Sequence, residues 1–171
     1  MDSLSSAEGE WIHHLHSFNT QCVEELDAMI PDQSSRYRMT YFRRDFKAAF
    51  HAPPSASDAP GVVYWLRKTN PNGSVQWKAG RTNDMGRRLR EWRRQCRRCR
   101  IKIVHETPTR FAKKLERALH RFLKTADVWK QPCACQSCRV KHREEFEVER
   151  IGGVEKAIKV TRLIGKIVDS K

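Results

Sequence analysis

Two groupings in this chain have residue types and spacings that can do chemistry. Cys135-x-x-Cys138 is followed four residues later by His142, which is ligand spacing for zinc. Cys133 lies just upstream, and Cys96-Arg-Arg-Cys99 supplies a second cysteine pair. Reduced, unliganded thiols are the alternative reading, and no organised histidine partner marks a catalytic cysteine. The second grouping is "WKAGRTNDMGRRLREW", residues 77–92. A tight turn at Gly80 and Thr82 leads into a helix start, where free N–H groups and the positive end of the helix dipole favour an anion. Arg88 offers a guanidinium that clamps phosphate oxygens in pairs. Arg81, Thr82, Arg87, Arg90, Arg94 and Arg97 surround it as candidate nucleic-acid contacts. A helix this basic repels itself through like charges one turn apart, and bound phosphates relieve that repulsion.

These residues sit in a strongly polarised chain. It has 171 residues and a formal net charge of +14. Residues 1–35 contain seven acids and neither lysine nor arginine. The remainder holds all 34 bases against 13 acids, a net of +21. A field of that size attracts polyanions, with nucleic acid first among them. DNA is the leading partner. RNA is a further one, because tryptophans on a basic surface can stack single strands. An acidic protein is the alternative partner. The acidic arm could instead lie over the basic face as a phosphate mimic, or complete the core. No apolar run approaches the roughly 18 residues of a membrane-spanning helix. The N-terminus lacks the pattern of a secretory signal. The expectation is an intracellular protein, nuclear or cytoplasmic, in a reducing compartment.

The elements that must position the candidates read as follows. Residues 10–30 carry an apolar stripe at helical spacing from Trp11 to Ile30, with Ser5 and Glu8 at capping-box spacing and Pro31 as a stop. Residues 35–50 form a second basic, aromatic helix, and 51–60 a linker rich in Pro, Ala and Ser. Residues 62–68 and 74–80 make a β-hairpin around the turn "TNPNG". Residues 84–97 are a helix capped by Asn83 or Asp84, with Leu89 and Trp92 anchoring it to the sheet. Residues 100–106 are a third strand. Thr109 caps a helix over 110–125, "EFEVE" at 145–149 is a fourth strand, and an amphipathic helix closes the chain. The fold class is α+β: a small mixed or antiparallel sheet flanked by helices, in β-β-α-β-α-β order, with an N-terminal helical extension. The expected divisions are an extension at 1–50, a linker at 51–60, a nucleic-acid-binding domain at 61–150 and a C-terminal helix at 151–171.

The run "VVY…KAGRTNDMGRRLREW…LERALHRFL" resembles the GIY-YIG nuclease superfamily, and in particular its phage-type DNA-binding branch common in fungal proteins. The resemblance places Tyr64 at the tyrosine of the first motif, Gly80 at the glycine of the second, Arg88 at the helix arginine and Glu116 at the metal-binding glutamate. It implies that Glu116 holds a magnesium or manganese ion and that Tyr64 orients or deprotonates water. Gathered at one phosphate, these groups support metal-assisted hydrolysis of a phosphodiester. The second tyrosine of the superfamily is replaced by Lys78, and the histidine one turn after the arginine by Trp92. A lysine is normally charged and a poor base. Both replacements favour binding over cutting. The resemblance also implies a structural zinc on Cys96, Cys135, Cys138 and His142, with Cys99 or Cys133 as substitutes. Taken singly, Tyr64 also reads as a packed aromatic and Glu116 as a helix acid beside Lys113 and His120. Arg88 is one of nine arginines between residues 81 and 100.

Overall fold

The computed structural model describes residues 52–130 and 144–170, with Gln21, residues 24–26, Ala28, Ala48, Ala49, Cys135, Cys138 and His142. Its elements are β1 (Gly61–Thr69), β2 (Val75–Thr82), α1 (Met85–Gln95), β3 (Arg100–Thr109), α2 (Ala112–Thr125), β4 (Glu145–Phe146), a 3-10 turn (Val148–Ile151) and α3 (Val154–Asp169). The four strands form one antiparallel sheet in the order β3-β1-β2-β4. The expected α+β class is borne out.

β1 lies in the middle of the sheet, and its sequence says why. Val63, Tyr64, Trp65 and Leu66 are all buried, a continuous run that suits a strand covered on both faces. Alternation sends Val63 and Trp65 to one face and Tyr64 and Leu66 to the other. The first face packs on α2 and α3 through Leu115, Leu119, Phe122, Ile158, Ile164 and their neighbours. Trp65 is fully buried there. Its indole N–H donates to Thr161 Oγ1 at 2.8 Å, and Thr161 in turn donates to the Ala157 carbonyl. The second face packs on α1 through Tyr64, Leu66, Trp92, Cys96, Ile101 and Cys135.

Helix ends are closed by specific groups. Asp84 caps α1, its carboxylate accepting from the Arg87 N–H at 2.8 Å. Thr109 does not cap α2 as expected. β3 runs on to Thr109, because it stays paired with β1 as far as Gly61. The first N–H groups of α2 go instead to Asp58, whose two carboxylate oxygens accept from Lys113 and Lys114 at 2.9 Å each. The segment expected as a linker is thus tied to α2 here, and the Ala112 N–H also bonds the Ala59 carbonyl. The fourth strand is shorter than expected. Only Glu145 and Phe146 pair with β2, and the chain then turns into the 3-10 segment that buries Val148 and Ile151.

Most of the two N-terminal helices expected over 10–30 and 35–50 lies outside the described residues. Of the described ones, Gln21, Glu24, Glu25 and Leu26 are helical. Leu26 is buried in the main core, and Glu25 pairs with Lys159 on α3 at 3.7 Å. Among the described residues, no helix is long and apolar enough to cross a membrane.

Candidate functional site

Two centres lie on the α1 face of the sheet. The first is built from Tyr64, Gly80, Arg88 and Trp92. Tyr64 on β1 pairs across with Gly80 on β2. A Cβ at Gly80 would stand 2.8 Å from the Tyr64 hydroxyl, so only glycine leaves room for the ring. That ring points its hydroxyl at α1. The oxygen accepts from Arg88 Nε at 3.0 Å and from Trp92 Nε1 at 3.2 Å. Arg88 Nη1 is held by Glu91 at 2.9 Å, and Glu91 also takes Arg87 at 2.8 Å. Burial works to lower the Arg88 pKa, but Tyr64 and Glu91 outweigh it and raise it. The guanidinium lies over the Trp92 ring, 5.4 Å from its centroid.

Lys78 sits beside this group, at the β2 position one pair along from Gly80. It is buried, with its ammonium 5.2 Å from the Trp92 centroid and 3.3 Å from Glu144 Oε2. Burial pushes its pKa down. The charge of Arg88 adds to that, while Glu144 opposes it. The sequence suggested an ordinary charged lysine; the fold makes its ammonium easier to deprotonate.

Glu116 lies on the other side of β2. It projects from α2 and accepts from Arg81 Nε at 2.9 Å. Burial raises the Glu116 pKa, Glu144 adds to the rise and Arg81 resists it. His120, one turn on, bonds the Ala79 carbonyl at 3.2 Å and lies 3.9 Å from Glu144. Tyr64 and Arg88 are therefore in direct contact, whereas Glu116 bonds neither. Glu144 links the sides, reaching Lys78 with one oxygen and His120 with the other. Its backbone has φ 64°, a conformation costly for a residue with a Cβ, and this bend turns the carboxylate into the gap beyond the end of β4.

The second centre is the cysteine cluster. Cys96 ends α1, and its Sγ lies 3.6 Å from Cys138 Sγ and 3.2 Å from His142 Nε2. Cys138 Sγ to His142 Nε2 is 3.1 Å. With Cys135, the four ligand atoms all lie within 4.8 Å of one another. A tetrahedron with metal–sulfur bonds of about 2.3 Å has edges of about 3.8 Å, so the donor set fits one ion. The group could hold a metal ion. Cys99 does not substitute in it: its thiol points to Asn70 Oδ1 at 3.3 Å. Cys133 lies outside the described residues. Burial holds the Cys96 thiol well above its usual range, and burial lowers the His142 pKa, leaving that ring neutral as a ligand must be. The buried Lys68 ammonium stands 3.8 Å from Cys135 Sγ and 2.8 Å from Glu145. Burial works to lower its pKa, yet Glu145, Cys135 and Cys96 together raise it. The His142 ring packs on Trp92 at 5.4 Å, which joins the two centres.

The remaining arginines divide by exposure. Arg87, Arg90, Arg94 and Arg97 are exposed along α1 and just beyond its end, Arg81 is exposed at the end of β2, and Thr82 is buried. The Thr82 hydroxyl bonds the Asp84 backbone and so shapes the turn into α1. Sequence reasoning missed Glu91, His120, Glu144 and Lys68. The Glu91 pairing is readable at i+3 and i+4 from Arg88 and Arg87. The other three act across elements and have no local signal.

Residues 61–165 match the T5orf172 domain family. The chain belongs to that family. Membership associates it with nuclease-type domains and with nucleic-acid interaction. No curated protein and no solved structure matches the chain.

Proposed function

We propose that this T5orf172 protein binds DNA through a GIY-YIG-like phosphate site made by Tyr64, Gly80 and Arg88, with residues 61–150 as the binding domain. The observation that carries this reading is the hydrogen-bonded Tyr64–Arg88–Trp92 group beneath a row of exposed arginines. Arg88 uses Nε on Tyr64 and Nη1 on Glu91. Its Nη2 is left to meet a phosphate oxygen, in an orientation settled before the ligand arrives. Arg81, Arg87, Arg90, Arg94 and Arg97 supply further phosphate contacts, which favours backbone over base recognition.

Cys96, Cys135, Cys138 and His142 would hold a structural zinc ion, closed by four protein ligands. In that role the ion contributes folding free energy and carries no reaction. It would pin the end of α1, and with it Arg88, to the cysteine loop.

A second reading is a metal-dependent endonuclease, and two observations favour it. Lys78 has a lowered pKa beside Arg88, which suits a general base better than an ordinary lysine does. Glu116 presents a partly buried carboxylate in a basic groove, where magnesium or manganese would bind. The test combines both readings. Arg88→Ala should weaken binding of a labelled DNA duplex about tenfold at fixed salt, and an unchanged affinity rejects the phosphate site. Incubating supercoiled plasmid with magnesium or manganese should yield nicks with the parent protein and none with Glu116→Ala if it cuts. No nicking by either protein leaves binding as the function.

A further inference from the structure

The outward side of α2 carries a second set of cations. Lys113, Arg117 and Arg121 follow one another at four-residue spacing, with Glu116, His120 and Lys124 in a parallel row beside them. With Arg81 they line an open groove of about 290 Å³. Glu116 is the only acid in α2, and Arg81 already occupies it. The outer face of α3 differs, because its cations alternate with Glu155 and Asp169. Uncompensated cations one turn apart repel, so α2, like α1, bears a local cost that an incoming polyanion relieves.

Arg81 belongs to both grooves. It lines the α2 groove, and it also lines the neighbouring one formed with Thr82, Arg87 and Arg88 beside α1. Its Nε serves Glu116, leaving both Nη groups for a ligand. From Lys113 to Lys124 the helix axis covers about 16 Å at 1.5 Å per residue. A duplex strand presents a phosphate about every 3.4 Å of axis, so α2 runs alongside about five of them.

We propose that the outer face of α2 is a second DNA-backbone contact, continuous with the α1 site through Arg81. One strand passes from Arg88 over Arg81 to Arg117, Arg121 and Lys124. This inference rests on the DNA-binding reading above, and the experiment separates the two. Fluorescence anisotropy with a labelled 20-base-pair duplex, run on the full chain over a series of salt concentrations, compares four proteins. They are the parent, Arg88→Ala, the double variant R117A/R121A, and the α3 control R162A/K166A. All four variant positions on α2 and α3 are exposed, and thermal melts confirm that each variant folds. Removing two phosphate contacts should flatten the slope of log affinity against log salt by about 1.8. Affinity at moderate salt should fall at least fivefold, with the α3 control close to the parent. An unchanged slope in R117A/R121A alongside weakened Arg88→Ala overturns the α2 contact and leaves the α1 site standing. Equal losses in R117A/R121A and the α3 control reduce the effect to general charge and also overturn it. If the parent binds no DNA, or binds an RNA duplex more tightly through the same residues, the DNA reading falls and takes this contact with it.

Discussion

The two faces of the sheet are closed by different means. On the α2/α3 face, twenty buried residues form an apolar core with Trp65 at its centre. On the α1 face the buried cluster has six members, two of them cysteines, and it borders a buried lysine, a tyrosine hydroxyl and an arginine-rich helix. The first face secures itself by removing apolar surface from water. The second has too little apolar surface to do so and depends on specific bonds. Those bonds, Tyr64 to Arg88, Lys68 to Glu145 and the Cys/His cluster, are also what shapes the candidate site. Chemistry has been placed on the face that packing leaves poorer.

The contrast can be broken most severely at the cysteine cluster. Structural zinc contributes on the order of 10 kcal/mol or more in small metal-dependent folds. Chelator treatment, or Cys138→Ser, should lower the thermal midpoint by about 10 °C or more and abolish DNA binding. Metal analysis of the purified protein should find one zinc per chain; a full-strength fold without metal would remove the proposed difference between the faces. Next in size, Trp65→Ala empties a fully buried site on the other face and should cost about 3–5 kcal/mol by denaturant titration. The metal content should stay unchanged, because the ligands lie across the sheet.

Gly80→Ala sharpens the comparison within the site. The added methyl must displace the Tyr64 ring, at a cost of about 1–3 kcal/mol. DNA binding should weaken about as much as in Arg88→Ala, and a binding loss without any shift in stability would argue against the Tyr64–Arg88 coupling. The smallest effect is on pH. Burial lowers the His120 pKa, with Lys78 and Lys124 adding and Glu144 opposing. The unfolded chain therefore takes up a proton near pH 6.5 that the folded chain refuses. This contribution to stability is complete above that value and is lost as pH falls below it. Melts at pH 7.5 and 5.5 should show a smaller acid-induced drop in His120→Gln than in the parent; identical drops would remove His120 from the balance.

Much of the architecture was readable residue by residue. The hairpin, the helix beginning after Asp84 and the α2 stripe all follow from local period and capping, which act over a few residues. The misreadings share one cause. Thr109 looked like a cap because Asp58, which does the capping, lies more than fifty residues earlier in the chain. "EFEVE" looked like a full strand because its β pattern is local, whereas its pairing ends where β2 runs past it. Cys99 was interchangeable with Cys96 on spacing alone, until the end of α1 turned its thiol toward Asn70.

The amino-acid sequence by itself determined the order of elements, the arginine-laden face of α1 and the ligand types of the cysteine loop, because periodicity, capping and spacing are properties of neighbours along the chain. Only the tertiary structure decided that Tyr64 meets Arg88, that Glu116 is met by Arg81, and that Glu144 spans Lys78 and His120. Those pairings depend on sheet register and on which face each strand residue takes, and a shift of one residue would reverse them all.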